Sequence, residues 1–245
     1  MKHLIIVTIY NKPILTKRCL ESIVRTTDLI SHKLFLIDDH SNALTRKVVQ
    51  SFCARHPEII LHRNKKNFGK PKSVNIALRH FPAMDYYTII DNDTTIKSKN
   101  WTTKLFQAHR DWNNQSILGA KTYMDGFPII KNGRQYLDPW PFWNLAGCFF
   151  SFPKKIFKKL GYFFDKSHRS EDADYCRRAY LAGFHWYYVP AIKATVSHYK
   201  HHRERMLLRR RELMQMDTRR KWSDYVMRTH RVYYPPRKTS IKSAK

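Results

Sequence analysis

The sequence has few acidic residues, few cysteines and no long hydrophobic run, and each shortage excludes a class of protein. Apolar runs such as Leu4–Tyr10 fall far short of the roughly 18–20 residues that cross a bilayer, so no transmembrane segment is predicted. The four cysteines include no Cys-x-x-Cys pair, which argues against a structural zinc site and a disulfide scaffold. Met1–Tyr10 leads directly into a predicted core strand, so we expect no signal peptide and a cytoplasmic location.

The shortage of acidic residues leaves a large positive charge. Lys and Arg number 46 against 19 Asp and Glu, a net charge of +27 in 245 residues. This charge repels itself and is tolerated most easily beside a polyanion, which favours nucleic acid, an anionic membrane surface or an acidic polymer as partner. A compositional bias of the source genome is the alternative. Hydrophobic residues still make up 42% of the chain, enough for a packed core.

Short apolar runs alternate with helical patterns through the first half of the chain. Strands are predicted at Leu4–Tyr10, Leu34–Ile37, Ile59–His62 and Tyr86–Ile90, with helices between them. This alternation predicts an α/β fold whose parallel sheet gathers ligands at the carboxyl ends of its strands. Later strands are predicted at Ser116–Thr122, Ala146–Phe152, Trp186–Val189 and Ala194–His198, with a long loop or irregular hairpin over residues 123–143.

The composition shifts at Lys200. Residues 200–245 carry 15 basic and four acidic residues, a net charge of +11, which leaves +16 for the rest of the chain. We therefore predict a catalytic domain over residues 1–199 and a basic, largely helical extension over residues 200–245 with a mobile end. The extension either lies on an anionic membrane, packs as a helix with a charged outer face, or binds nucleic acid. If the extension binds nucleic acid, the residues that contact the phosphates would be Arg209, Arg210, Arg211, Arg219 and Arg220.

Acidic residues concentrate in three clusters. The clusters are Asp38-Asp39, Asp91-Asn92-Asp93, and Glu171-Asp172 with Asp174. Each alone fits a turn or a helix cap, since Asp and Asn favour both. Two carboxylates held two residues apart after a buried strand repel each other unless a cation lies between them, so Asp91 and Asp93 favour a Mg²⁺ or Mn²⁺ site.

These clusters belong to a longer series of motifs in which the chain resembles the family 2 glycosyltransferases, whose fold is called GT-A. The motifs are Val7-Thr8-Ile9-Tyr10-Asn11, Ile37-Asp38-Asp39-His40-Ser41, Asn67-Phe68-Gly69-Lys70 leading to Asn75, Ile90-Asp91-Asn92-Asp93, Asn144-Leu145-Ala146-Gly147, Glu171-Asp172 through Gly183, and His198. Each motif is weak alone, but they follow the family's order over residues 4–199. The resemblance implies a Rossmann-like mixed sheet with flanking helices.

The resemblance also implies a role for each matching residue. Thr8, Tyr10 and Asp39 would hold the nucleotide base of a nucleotide-sugar, by the family's habit a UDP-sugar, and Asp91 would bind its ribose. Asp93 would ligate the Mn²⁺ or Mg²⁺ ion at the diphosphate, with His198 near the same ion. Asp172 would be the general base of an inverting transfer. Lys70 either adds positive charge near the phosphates or is a solvated surface lysine, and Asn67 either binds the donor or only fixes its loop.

The acceptor is the least constrained part of the prediction. Trp140 and Trp143 either stack on the acceptor, beside Glu171, or pack under a loop. No Gln-x-x-Arg-Trp motif follows Glu171-Asp172, which argues against processive polysaccharide synthesis. The charge favours DNA, specifically a hydroxymethylated pyrimidine, as acceptor. A lipid-linked or anionic glycan at a membrane is the alternative, and a nucleic-acid-binding protein with a degenerate glycosyltransferase core is a further one.

Overall fold

The computed structural model describes residues 1–122, 126–139, 145–165 and 171–197. The elements in chain order are β1 (His3–Ile9), α1 (Pro13–Thr26), β2 (Lys33–Asp38), α2 (Ala43–Arg55), β3 (Ile60–Arg63), α3 (Lys70–His80), β4 (Tyr86–Asp91), β5 (Thr94–Ile96), α4 (Trp101–Asp111), β6 (Ser116–Lys121), β7 (Phe127–Lys131), β8 (Arg134–Asp138), β9 (Phe149–Pro153), α5 (Lys154–Leu160), α6 (Glu171–Leu181) and β10 (His185–Val196). The strands form one mixed sheet in the order β3-β2-β1-β4-β9-β6-β10-β8-β7, and β5 pairs with β10.

Four neighbouring strands, β3, β2, β1 and β4, run parallel. Every residue of β1 is buried, as expected for a central strand whose two faces are both covered, and its sequence is accordingly a continuous apolar run. In the register of this sheet Ile9 pairs with Asp38 and Thr8 pairs with Asp91. The first two acidic clusters therefore lie side by side at the carboxyl edge of the sheet.

Strand β9 runs antiparallel between β4 and β6. Ile90 near the end of β4 pairs with Phe149 at the beginning of β9. The backbone N–H of Asp91 continues the contact by donating to the carbonyl of Cys148 at 3.1 Å. Because β9 is reversed, the segment that precedes it reaches the same edge of the sheet as the ends of the parallel strands.

Local sequence signals explain where the flanking helices begin. Pro13 opens α1, where a missing backbone N–H costs nothing. Asn42 caps α2, and its side-chain oxygen accepts from the N–H of Thr45 at 3.0 Å. Helix α1 buries Cys19 and Ile23 against the sheet. Burial of an aliphatic side chain of this size contributes about 1.5–3 kcal/mol to the folded state.

The observed strands differ from the predicted ones in two places. The three-residue strand β5 was not predicted. The two strands predicted on either side of Pro190 are one continuous strand, β10. It accommodates the proline because its register with β6 shifts between Val189 and Lys193. At such an irregularity the missing N–H of proline breaks no ladder bond. In the described part of residues 123–143, the hairpin alternative is confirmed by β7 and β8.

The other sequence-level expectations have mixed outcomes. Within the described ranges, none of the helices combines the length and the apolar character needed to cross a bilayer. All four cysteines are free thiols. The predicted boundary at residue 199 and the extension beyond it lie outside the described residues, so both stay predictions.

Candidate active site

Asp39 anchors the loop between β3 and α3. Its Oδ1 accepts from the Asn64 side-chain amide and from the N–H of Phe68, and its Oδ2 accepts from the N–H of Gly69, each at 2.8 Å. The carboxylate is 3% exposed. The side-chain oxygen of Asn67 also accepts from the Gly69 N–H, at 2.9 Å, so this residue shapes the same loop. Contact of Asp39 or Asn67 with a nucleotide base stays a prediction.

Asp38, the neighbour of Asp39, points to different partners. Its carboxylate accepts from the N–H of Ser41 at 2.8 Å and pairs with the guanidinium of Arg63. The side chain is almost fully buried, so these contacts satisfy a charge that would otherwise be costly. Asp38 therefore holds the turn after β2, and the second Asp of the pair is the one that organises the edge of the site.

The end of β1 leads to Thr8 and Tyr10, the other residues predicted to hold the base, and Thr8 contacts Asp91, which is predicted to bind the ribose. Thr8 Oγ1 donates to Asp91 Oδ1 at 3.4 Å. The side chain of Tyr10, two residues further along, is 49% exposed. An exposed aromatic ring beside a buried polar cluster is a suitable surface on which a flat base can stack.

The three residues of the Asp91-Asn92-Asp93 cluster have separate contacts. The Asn92 amide donates to the carbonyl of Asn11 at 2.9 Å and to Thr16 Oγ1 at 2.7 Å. Asn92 thus ties the end of β4 to the beginning of α1. Asp93 is 2% exposed, and its Oδ2 lies 2.7 Å from the ammonium of Lys12. Lys12 was not predicted as a site residue, because the sequence around it reads only as a turn before Pro13.

Lys70 lies at the centre of the site and is not a solvated surface lysine. Its ammonium contacts Asp91 Oδ1 at 2.7 Å, Glu171 Oε1 at 3.0 Å and the carbonyl oxygen of Gly147 at 2.9 Å. Burial alone would lower the pKa of Lys70, but the Asp91 and Glu171 carboxylates raise it well above its usual value. The side chain is therefore a fixed positive charge that joins β4 to the beginning of α6.

Asp172 contacts the same glycine as Lys70, at the N–H of Gly147 and not at its carbonyl oxygen. Its Oδ2 accepts from the Gly147 N–H at 2.9 Å, and its Oδ1 accepts from the N–H of Ala173 at 2.8 Å. Burial, and next the negative charge of Glu171, raise the pKa of Asp172 to about 6. Burial also acts on Glu171, but there the ammonium of Lys70 prevails and lowers the pKa. Of two adjacent carboxyl groups, Asp172 is thus the one poised to exchange a proton near neutral pH.

Gly147 leaves little room for a side chain in this arrangement. A Cβ atom at this position would lie 3.0 Å from Lys70 Nζ and 3.1 Å from Asp172 Oδ2. The absence of a side chain lets both charged groups approach the backbone of Gly147, Lys70 at its carbonyl oxygen and Asp172 at its N–H. Sequence reasoning noted the Asn144–Gly147 motif but found no signal for this packing, which depends on residues far apart in the chain.

The residues present fit a divalent cation in part. The structure offers two neighbouring carboxylates, Asp91 and Asp93, and each already holds a positively charged ammonium. Carboxylate oxygens are the ligands that Mg²⁺ and Mn²⁺ prefer. Among the described residues, no three His, Cys, Asp or Glu side chains come together as a metal cluster. A third protein ligand would have to come from elsewhere, and the predicted one, His198, lies outside the described residues.

The remaining predicted site residues also fall outside the described part of the chain. They are Trp140, Trp143, Arg209, Arg210, Arg211, Arg219 and Arg220. Their contributions to acceptor or nucleic-acid binding stay predictions.

Comparison with known structures identifies the architecture as GT-A. One similar structure is a mannosyltransferase from Pyrobaculum calidifontis in complex with GDP-Man and Mn²⁺. The alignment covers 96% of this chain and 65% of the mannosyltransferase, with a TM-score of 0.67 at 15% identity. Staphylococcus aureus TarS, residues 1–349 in complex with UDP-GlcNAc, matches 82% of this chain and 60% of its own, with a TM-score of 0.61 at 19% identity. GalNAc-T7 with UDP, GalNAc and Mn²⁺ matches 80% of this chain and 43% of its own, with a TM-score of 0.64 at 13% identity.

The family is shown by sequence. The family model for glycosyl transferase family 2 matches residues 4–177, and the chain belongs to this family. No curated protein sequence matches the chain. The chain spans less than two thirds of the length of each of the three solved structures, and at these identities the likeness to them shows the fold alone.

Proposed function

We propose that the chain transfers a sugar from a nucleotide-sugar, in our prediction a UDP-sugar, to an acceptor hydroxyl with inversion at the anomeric carbon. Asp172 is the general base: it takes the hydroxyl proton while the acceptor oxygen attacks the anomeric carbon and the bond to the nucleoside diphosphate breaks. The observation that carries the proposal is the placement of Asp172, whose pKa of about 6 suits proton transfer near neutral pH, beside the edge where β1 and β4 end.

The donor occupies the other part of this edge. Tyr10 offers the base an exposed ring, Asp91 reaches the ribose, and the loop anchored by Asp39 forms the wall. Asp93 would hold a divalent cation, which would supply positive charge for the leaving diphosphate. The Mn²⁺ in the complexes of the mannosyltransferase and of GalNAc-T7 supports this choice of ion.

Replacement of the proposed base tests the mechanism. Asp172→Asn should lower the rate of sugar transfer or donor hydrolysis about 10²–10⁴-fold, because it removes the proton acceptor. Asp174→Asn is the matched control: Asp174 lies in the same helical turn but pairs with Arg178 at 2.9 Å. Rates are measured with labelled UDP-sugars and Mn²⁺, and chelation with EDTA should abolish them. Equal rates for wild type and Asp172→Asn would contradict the assignment, and NMR of the product must show the anomer opposite to the donor.

For the acceptor, we propose DNA carrying a hydroxymethylated pyrimidine. The net charge of +27 supports a polyanion, and the charge is spread over both segments of the sequence. Helix α5 adds local support, since it packs against α6, whose first turn carries Asp172, and exposes Lys155, Lys158 and Lys159. Cationic side chains near Asp172 would attract the phosphate backbone of DNA to this part of the site.

A transfer assay distinguishes DNA from the glycan alternative. Labelled UDP-sugars and Mn²⁺ are incubated with hydroxymethylcytosine DNA, with plain DNA and with a glycolipid extract. Label in the modified DNA alone supports the proposal, and binding to the duplex should then weaken steeply with salt. Label in the extract alone would replace DNA by a membrane glycan. Duplex affinity too weak to measure at low salt would exclude DNA as the acceptor.

A further inference from the structure

The turn that carries Lys12 has an unusual backbone. Asn11 has a φ of 55° and Lys12 a φ of 61°, so two consecutive residues with side chains adopt the left-handed region. Asn tolerates this region, and here Asn11 is also held by hydrogen bonds: its N–H donates to Ser41 Oγ, and its side-chain oxygen accepts from the N–H of Asn42. Lys has no such advantage, and a non-glycine residue in this region carries strain.

Lys12 also occupies a position where another residue would serve the helix better. It is the N-cap residue of α1, and it makes no side-chain capping bond. Ser, Thr, Asp or Asn at an N-cap accepts from the first turn and stabilises the helix, whereas Lys cannot accept. Both the backbone strain and the missing cap are local costs. What the conformation achieves is the 2.7 Å contact between the Lys12 ammonium and buried Asp93.

The surrounding structure fixes this contact. Asn92 lies between the two carboxylates of its cluster, and its amide donates to the carbonyl of Asn11 at 2.9 Å. The turn and the acidic cluster are thereby built as one unit. The stem of Lys12 remains open to solvent, with 45% of the side chain exposed, while Asp93 is 2% exposed. The lysine can therefore leave without repacking the core, whereas the carboxylate stays in place.

Lys70 repeats the pattern on the second carboxylate. Its ammonium contacts Asp91 at 2.7 Å, so an ammonium contacts each carboxylate of the cluster. A divalent cation that enters alone must displace Lys12 and then lie close to two positive charges. A cation that arrives with a nucleoside diphosphate brings the negative charge that balances them, and the displaced ammonium has phosphate oxygens to contact.

From this geometry we propose that Lys12 is a built-in competitor of the divalent cation: it holds Asp93 in the free protein and makes binding of the metal ion depend on the nucleotide. The inference rests on the proposed donor site and adds a rule for its order of filling. Metal and nucleotide bind together, and each raises the affinity of the other by the same factor. In this scheme Lys12 moves from Asp93 to the diphosphate when the donor binds.

Titration with Mn²⁺ alone, followed by EPR of the free ion, tests the proposal without any activity assay. Lys12→Met should bind Mn²⁺ more than about tenfold tighter than wild type, since repulsion between a single and a double positive charge about 5 Å apart reaches this size even in water. Lys12→Arg keeps the charge and should behave as wild type. Lys17→Met is the matched control, because Lys17 lies on α1, is 60% exposed and pairs with the exposed Glu21 at 3.8 Å.

A second arm repeats the titration with saturating UDP. UDP should raise the Mn²⁺ affinity strongly in wild type and much less in Lys12→Met, because the variant has lost the competitor that UDP removes. Asp93→Asn in the Lys12→Met background should abolish the gain, which places the ion at this carboxylate. Mn²⁺ affinity of Lys12→Met equal to or below that of wild type overturns the proposal. Failure of wild type to bind UDP with Mn²⁺ would instead count against the proposed function, and the comparison without UDP would still decide the role of Lys12.

Discussion

The charge arrangement around Asp172 makes a prediction with a sign and a size. Lys70 Nζ and Asp172 Oδ2 lie 3.0 and 3.1 Å from the same point beside Gly147. They are therefore no more than about 6 Å apart, and at an effective dielectric constant of about 20 their attraction is about 3 kcal/mol, or about two pKa units. Lys70→Met should raise the pKa of Asp172 from about 6 by one to two units. Glu171→Gln should lower it, because the removed charge is negative.

The pH dependence of kcat/KM for hydrolysis of a labelled UDP-sugar measures this pKa, since kcat/KM reports groups of the free enzyme. The acidic limb should move to higher pH in Lys70→Met and to lower pH in Glu171→Gln. Lys72→Met is the control: this lysine lies 4.8 Å above the ring of Phe68, and the acidic limb of the variant's pH profile should not move. General damage to the site lowers the rate without producing opposite shifts. Limbs that stay fixed, or that move in the same direction in both variants, would refute the reasoning.

Three further predictions test separate parts of the structure. Burial lowers the pKa of His109 to about 3, against about 6.5 in an unfolded chain. The free energy of unfolding should therefore be constant above pH 6.5 and fall by about 1.4 kcal/mol per pH unit below it, because only the unfolded chain binds the proton there. Urea midpoints from pH 7 to 4.5 measure this loss, and a flat profile would contradict it. Asp39→Asn leaves one acceptor oxygen for three N–H donors, so urea denaturation should show that the free energy of unfolding is lower by about 1–3 kcal/mol. Unchanged stability would mean that the loop does not need this anchor. Gly147→Ala should reduce the rate of donor hydrolysis more than about tenfold with little change in melting temperature, because the new Cβ contacts Lys70 and Asp172 too closely. A rate equal to that of the wild type would show that the two side chains can shift freely.

Much of the fold was predictable because its strands are apolar and regularly spaced. The continuous run of β1 and the alternation up to β4 were sufficient to place Asp39 and Asp91 at one edge. The prediction was wrong at Pro190, since a proline inside a strand is tolerated only where the ladder is already irregular, and this depends on the partner strand. Strand β5, with three residues, is too short to show a period.

The candidate site was predictable where motifs are local and unpredictable where they are not. Asp91, Asp93 and Asp172 stand in short acidic motifs that the resemblance identified. The position of Lys70 depends on Glu171, about a hundred residues away, and nothing adjacent to Lys70 in the sequence indicates that contact. Lys12 was missed for a similar reason, since its role comes from a left-handed backbone that the sequence does not signal.

The reversed strand β9 has a consequence for how this molecule can diverge. Apart from His198, the residues proposed to bind the donor belong to the first 93 positions, whereas Gly147, Glu171 and Asp172 belong to a later stretch that β9 returns to the same edge. Under the proposed function, substitutions in the later stretch should retune the choice of acceptor and leave most of the nucleotide contacts unchanged. Lys70 crosses this division, because it touches a carboxylate on each side. Exchange of the later stretch between relatives should succeed only when the incoming sequence brings a partner for this ammonium.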